Sequence, residues 1–300
     1  MMYHDPVLLQ QSIDGLNISP DGIYVDATFG GGGHSKEILK KLTTGKLVAF
    51  DQDEDAEQNK SDDERLIFVR HNFRFMKNFL RYYNITKVNG ILADLGVSSH
   101  QFDEPQRGFS FRSDATLDMR MNRESEKTAK LVVNTYDEAK LTEILIQYGE
   151  LPNAKKMASL IIKCRQGSSI DTISQLVEAI SPCIPKHAEN KFLAPVFQAI
   201  RIEVNGELDS LKELIKQSSE WLMGGGRLVV ISYHSLEDRL VKNFIKAGNF
   251  EGKITKDFYG NPTVPFKAVN KNVIIPDDDE LNRNSRARSA KLRVAEKLAS

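Results

Sequence analysis

Four consecutive glycines, Gly30 to Gly33, follow an apolar stretch that carries one acid, Asp26, and precede a helix expected over residues 34–42. Glycine turns sharply and lets a ligand approach the main chain with no Cβ in the way. The helix behind the turn offers free N–H groups to whatever sits there. Doubly wound α/β domains hold nucleotide-like cofactors in this way, at the carboxyl end of the first strand. A second acid, Asp51, ends the next apolar run, 21 residues after Gly30. A carboxylate there reaches the two hydroxyls of an adenosine ribose. A third, Asp94, stands at the end of the run 88–95.

Nicotinamide dinucleotides and S-adenosylmethionine share this geometry, so the glycine spacing matters. A G-x-G-x-x-G pattern starting at Gly30 needs glycine where Ser35 stands, and one starting at Gly31 needs it where Lys36 stands. Asp26 and Asp94 suit a cationic sulfonium with an amino-acid tail and repel a pyrophosphate. The residues therefore favour a methyl donor, with a nicotinamide-dependent oxidoreductase as the competing reading.

The elements that must position these groups alternate. Strands are expected over 23–29, 46–51, 65–69 and 88–95, with helical spacing over 34–42 and 75–82. That alternation means βαβ units and a parallel sheet. Residues 101–123 have no clear period, and only helical patterns run from about 128 to 195. Thr135 to Glu138 reads as a capping box opening a helix to Gly149, followed by helices over 154–167 and 172–180. One long helix is expected over 196–222, then Gly224 to Gly226 lead into a strand over 227–232. Ser235 to Asp238 reads as the cap of a helix ending at Gly248, and 290–298 fits either a strand or a helix. The expected organisation is an α/β domain, 1–104 with 196–300, interrupted by an all-helical insertion, 105–195, that would recognise substrate.

Forty-one basic residues balance 41 acidic ones, so a nucleic-acid partner would have to be met by local patches and shape. No apolar run is long enough to span a bilayer, and the first eleven residues lack the features of a secretory signal. Cys164 and Cys183 have no CxxC or histidine partner, which suggests two buried free thiols in a reducing cytoplasm.

Longer motifs narrow the reading. They are His4-Asp-Pro-Val-Leu-Leu9, the glycine turn, Asp94-Leu-Gly-Val-Ser-Ser99, Arg107-Gly-Phe-Ser-Phe111 and Leu117-Asp-Met-Arg-Met121. Phe197 to Asn205, Ile231 to Arg239 and Ser289 to Arg293 complete the set. Together, over essentially the whole chain, they resemble the RsmH (MraW) family of bacterial S-adenosylmethionine-dependent methyltransferases, which act on N4 of a cytosine in the decoding centre of 16S ribosomal RNA. The resemblance implies a Rossmann-like methyltransferase domain with a helical insertion. It implies that Gly32, Gly33 and His34 hold the donor's amino-acid end, Asp51 the ribose and Phe73 the adenine, with further contacts from Asp94 and Gln101. Tyr233 stands where the family usually has phenylalanine. The implied partner is 16S rRNA in the small ribosomal subunit, with no membrane and a cytoplasmic location; oligomeric state stays open, a homodimer included.

In such a reaction the enzyme aligns nitrogen, methyl and sulfonium. The N4 lone pair is delocalised, so an acceptor on its N–H would help. Asp94 is the candidate by position, against a role in cofactor binding alone; the Asn/Asp-Pro-Pro-aromatic motif of many amino-methyltransferases is absent. Phe109 and Phe111 could stack on an exposed base or serve as core. Arg107, Arg120 and Arg239 could hold phosphates or form structural ion pairs. Arg201 and Asn205 share one helix face, for substrate or for an inter-helix bond. His234 follows the fifth strand, where a structural hydrogen bond competes with general-base chemistry. The basic tail, Arg283 to Lys297, could touch RNA or be a solvated face. No metal-ligand cluster is visible, and a non-catalytic assembly factor or an enzyme acting on another substrate are the remaining alternatives.

Overall fold

A computed structural model describes residues 6–185 and 189–299, so His4 and Asp5 of the amino-terminal motif lie outside the described residues. The chain forms two compact units, one of Met1–Gly96 with Leu208–Ser300 and one of Val97–Glu207. No helix among the described residues is long and apolar enough to cross a membrane.

The first unit opens with α1 (Leu9–Leu16), β1 (Ile23–Asp26), α2 (Gly33–Lys41), β2 (Lys46–Asp51), β3 (Leu66–Arg70), α3 (Met76–Tyr82) and β4 (Val88–Asp94). The strands read as nearly continuous apolar runs because both faces of a parallel sheet are covered. Val25, Val48, Phe50 and Ile91 have no exposed surface. Removing such side chains from water contributes about 1.5–3 kcal/mol each.

The second unit is helical: α4 (Ser99–Asp103), α5 (Ala129–Thr135), α6 (Glu138–Gln147), α7 (Ala154–Gly167), α8 (Ile173–Ile180) and α9 (Glu189–Asn205). Its own core gathers Val132, Ile144, Met157, Leu176, Val196 and Ile200. Leu193 and Val204 also pack there, so all of α9 belongs to this unit, which is longer than the segment 105–195 read from the sequence.

The chain then continues through α10 (Glu207–Trp221), β5 (Leu222–Ser232), α11 (Ser235–Ala247), β6 (Phe266–Ala268), α12 (Asp278–Arg283) and β7 (Lys291–Lys297). The seven strands run in the order β3-β2-β1-β4-β5-β7-β6. The first five are parallel, and β7 lies antiparallel to both β5 and β6. Leucines and isoleucines of α3, α10 and α11 cover one face. Residues of α1 and α2 cover the other. The order of strands reverses between β1 and β4, which is where such sheets bind ligands, beyond the carboxyl ends of the strands.

Several local expectations need correction. The helix after Tyr136 is capped by Asp137, whose carboxylate accepts from Lys140 N at 2.7 Å. Thr135 ends the preceding α5, where its hydroxyl donates to the Leu131 carbonyl. The long helix expected over 196–222 is two helices, because Gly206 adopts a left-handed φ of 58° that glycine alone tolerates cheaply. The cap of α11 is His234 rather than Ser235: its Nδ1 accepts from Glu237 N, and the Glu237 carboxylate accepts from His234 N. The tail 291–297 is a strand, paired along β5. Both cysteines are free, and both are half-buried rather than buried.

Candidate active site

Asp26 closes β1 with no exposed surface. Its two oxygens accept from Thr28 N at 3.1 Å and Ser35 Oγ at 2.7 Å, which ties the end of the strand to the first turn of α2. Burial pushes its carboxyl above the usual range, against the pull of nearby His34 and of these hydrogen bonds.

The glycine turn between them has distinct requirements at Gly30, Gly32 and Gly33. Gly30 and Gly32 have φ of 52° and 75°. Gly33 sits under Pro6, whose Cγ would lie 2.1 Å from an added Cβ. Beside Gly30, by contrast, nothing comes within 4 Å of the Cβ position. The main chain there presents an open face.

Asp51, at the end of β2, accepts from Gly30 N at 2.7 Å through one oxygen and from Asp53 N at 2.9 Å through the other. The hydrogen bond to Gly30 joins the acid at the end of β2 to the glycine turn directly. Burial pushes its carboxyl up to about 6, with Asp53 and Asp26 adding repulsion. Phe73 stands in the turn after β3, and the neighbouring Asn72 donates to the Gln52 side chain at 2.8 Å, keeping that turn beside Asp51.

Asp94 closes β4. Its backbone N–H donates to Thr28 Oγ1 at 2.7 Å, and its Oδ1 accepts from the Tyr233 hydroxyl, also at 2.7 Å. Its Oδ2 lies 3.9 Å from His34 Nδ1. The His34 ring is held from its other side, Nε2 to the Val7 carbonyl at 3.2 Å. Burial again dominates and lifts the Asp94 carboxyl to about 6; His34 and the Tyr233 hydrogen bond pull it down, and Asp26 and Glu237 push it up.

Gly32, Gly33, His34, Asp51, Phe73 and Asp94 thus gather at the carboxyl ends of β1, β2, β3 and β4. Among the described residues no lysine or arginine is paired with Asp26, Asp51 or Asp94. One buried and two half-buried carboxylates, paired among the described residues with no lysine or arginine, fit a cationic ligand that also donates hydroxyl hydrogens. They do not fit a pyrophosphate. Two participants went unread in the sequence. Tyr233 directly follows β5, beside β4, and that adjacency was the available signal. The Pro6–Val7 segment stood out as part of the amino-terminal motif, but its contacts with Gly33 and His34 are long-range and had no local signal.

The remaining expected residues are placed differently. Gln101 is buried in the helical unit, where it completes a capping box with Ser98 at the start of α4. Arg107 is only 4% exposed, and its guanidinium donates to the Arg120 and Met121 carbonyls, which leaves it no face for a phosphate. Arg120 grips Asp118 with two 2.7 Å bonds and also donates to the Arg123 and Ser125 carbonyls. Arg201 forks onto Glu207 at 2.9 and 3.0 Å. Asn205 accepts from Met121 N and donates to the Met119 and Arg201 carbonyls, pinning the end of α9 to the loop before α5. These four side chains hold the helical unit together. Phe109 is buried in that unit's core, and Phe111 is half-buried, edge-on to Phe197 at 5.4 Å. His234 caps α11, and Arg239 is exposed on that helix.

The model of a family described as the MraW methylase family matches residues 1–298. A Bacteroides fragilis protein named ribosomal RNA small subunit methyltransferase H is 60% identical over 296 residues, 98% of this chain and 97% of that one. Proteins of the same name from Bacteroides thetaiotaomicron and Flavobacterium johnsoniae are 58% identical over 298 residues and 59% identical over 299. They are covered over 98% and 99% of their lengths, and this chain over 99% in both cases.

Proposed function

The chain belongs to the MraW methylase family, and on that premise we propose that it methylates the N4 amino group of a decoding-centre cytosine in 16S rRNA, using S-adenosylmethionine. The observation that carries this reading is the near-complete match to relatives named as small-subunit rRNA methyltransferases. The site supports the donor on its own chemistry: an open glycine main chain at Gly30 and carboxylates that, among the described residues, pair with no lysine or arginine.

When bound, the donor supplies a methyl group on a positively charged sulfonium. Asp51 takes the ribose hydroxyls, since each of its oxygens has a lone pair beyond the bond it already accepts. Gly32, Gly33 and His34 hold the amino-acid end, and Phe73 covers the adenine. Asp94 has Oδ1 fixed by Tyr233, which leaves Oδ2 to accept a hydrogen bond from the N4 amino group. That bond orients the nitrogen lone pair toward the methyl. On methyl transfer Asp94 Oδ2 would accept the N4 proton and pass it to water. Gln101, Phe111 and Arg239 keep their expected cofactor and substrate roles in this proposal. The substrate is the small subunit rather than free RNA, in the cytoplasm.

The test is transfer of labelled methyl groups to small subunits from a strain lacking the enzyme, followed by nucleoside analysis. N4-methylcytidine is the expected product. Its absence overturns the proposal.

A further inference from the structure

The chain is electrically neutral overall, yet one exposed stretch of the first unit is not. From His71 to Tyr83 it carries Arg74, Lys77 and Arg81, five aromatic rings besides His71, and no acid. These residues form the turn after β3 and the helix α3, and the stretch starts beside Phe73 and the carboxyl end of the sheet. The buried face of α3 is accounted for by Met76 and Leu80, which have no exposed surface. The other face is not. Tyr82 is 77% exposed, and Phe75 and Tyr83 are more than a third exposed.

Among the described residues, Arg74, Lys77 and Arg81 enter no ion pair, whereas Arg107, Arg120 and Arg201 are bound within the protein. Aromatic rings hold two of these cations in place. The Arg74 guanidinium lies 5.3 Å from the centre of the Phe75 ring, and that of Arg81 lies 5.9 Å from Trp221. His71 packs edge-on against Phe75 at 4.7 Å, and Tyr82 against Tyr83 at 5.1 Å. Such stacking restrains an arginine while leaving its N–H fork free. A row of unneutralised cations interleaved with exposed rings matches the phosphodiester backbone and splayed bases of single-stranded RNA.

We infer that the exposed face of residues 71–83 is an RNA-binding surface, with Arg74, Lys77 and Arg81 on phosphates and Tyr82 stacked on a base. This rests on the proposed rRNA substrate and adds where on the enzyme, outside the reaction site, that RNA is held.

The experiment compares the full-length protein with Arg74→Gln/Lys77→Gln/Arg81→Gln and with Tyr82→Ala, measuring binding and methylation of small subunits across a salt series. All side chains changed are exposed or at the surface of α3, so thermal stability and S-adenosylmethionine affinity are expected to stay at wild-type values. The triple variant is expected to weaken subunit binding at least tenfold and to lower the slope of log affinity against log salt by about two. Tyr82→Ala is expected to weaken binding about tenfold with the salt slope unchanged. An unchanged subunit affinity and slope in the triple variant overturns the inference, as does a loss matched by an equal loss of S-adenosylmethionine affinity. The wild-type arm separates the two readings. If wild type methylates subunits and the variants bind as well as it does, only the surface assignment fails; if wild type transfers no methyl to subunits, the rRNA proposal fails and the surface assignment with it.

Discussion

Tyr233 and Asp94, 139 residues apart, share a 2.7 Å hydrogen bond in which the phenol donates to Oδ1 of the carboxylate. Asp94 ends β4 and pairs in register with Ile231 of β5, and Tyr233 follows that strand's last residue by one. The bond fixes the carboxylate's rotation and stabilises its charged form, against a burial that favours the neutral one. Burial and the facing carboxylate drive the phenol's own ionisation far above its ordinary range, so Tyr233 is a permanent donor.

Tyr233→Phe is therefore expected to raise the Asp94 pKa from about 6, moving the acid limb of the kcat profile up by about one unit. His34, Asp26 and Glu237, which also face Asp94, are untouched by the change. Above pH 8 turnover should recover to within about tenfold of wild type. An unmoved acid limb would show that the phenol does not act through Asp94.

Asp51→Ala and Asp94→Ala are both expected to abolish methyl transfer. They should differ in cause. Loss of Asp51 removes the acceptor tied to Gly30, so its main effect falls on S-adenosylmethionine affinity. Loss of Asp94 should suppress turnover even at saturating donor. Calorimetric titration beside single-turnover rates distinguishes the two, and unchanged turnover in either variant contradicts the assigned role.

Donor affinity should depend on pH with a definite sign. Asp51 and Asp94 both titrate near 6 in the ligand-free protein, and a cationic donor prefers their ionised forms. Affinity is expected to be flat above pH 7 and to fall below pH 6, by about tenfold per unit for each carboxylate involved. Affinity that is constant down to pH 5 would remove both groups from donor binding.

The same shifts bear on stability. A carboxyl raised from 3.8 to about 6 binds more protons folded than unfolded between those values, so its contribution to stability declines as pH rises through that window. Asp94→Asn keeps an oxygen to accept from Tyr233 and abolishes the half-buried charge. Its melting temperature is expected to exceed wild type by a few degrees at pH 7.5, roughly the effect of 1 kcal/mol in a chain of this size, and the gap should close by pH 4. A variant that melts lower than wild type at pH 7.5 would contradict this account.

The four glycines should not be equivalent. Gly33→Ala places a Cβ 2.1 Å from Pro6 Cγ and must displace the amino-terminal segment that holds His34. A loss of about 1–3 kcal/mol is expected. Gly31 is exposed, and Gly31→Ala should stay within about 0.5 kcal/mol of wild type. Denaturant unfolding of the two variants, side by side, checks the contrast.

Much of this was legible along the chain, for a physical reason. Strands buried on both faces must be apolar throughout, so β1, β2 and β4 show as continuous runs, and a turn with left-handed backbone and a close neighbour sheds its Cβ atoms, so the glycines at 30, 32 and 33 show as well. The acids Asp26, Asp51 and Asp94 stand out because each interrupts or ends such a run. The break at Gly206 is different. The apolar spacing of α9 carries on into α10, and only the left-handed backbone at that residue divides them.

Sequence by itself determined the sheet, the glycine turn and the family motifs, because these depend on periodicity and on residues close together in the chain. Tertiary structure alone decided which charges are available for chemistry. Arg107, Arg120 and Arg201 look like phosphate ligands until their carbonyl and carboxylate partners are known, and Arg74, Lys77 and Arg81 look ordinary until they prove to have no such partner among the described residues. A side chain's partner is fixed by folding that brings distant segments together, as Tyr233 meets Asp94 and Pro6 meets Gly33. No local pattern encodes that choice.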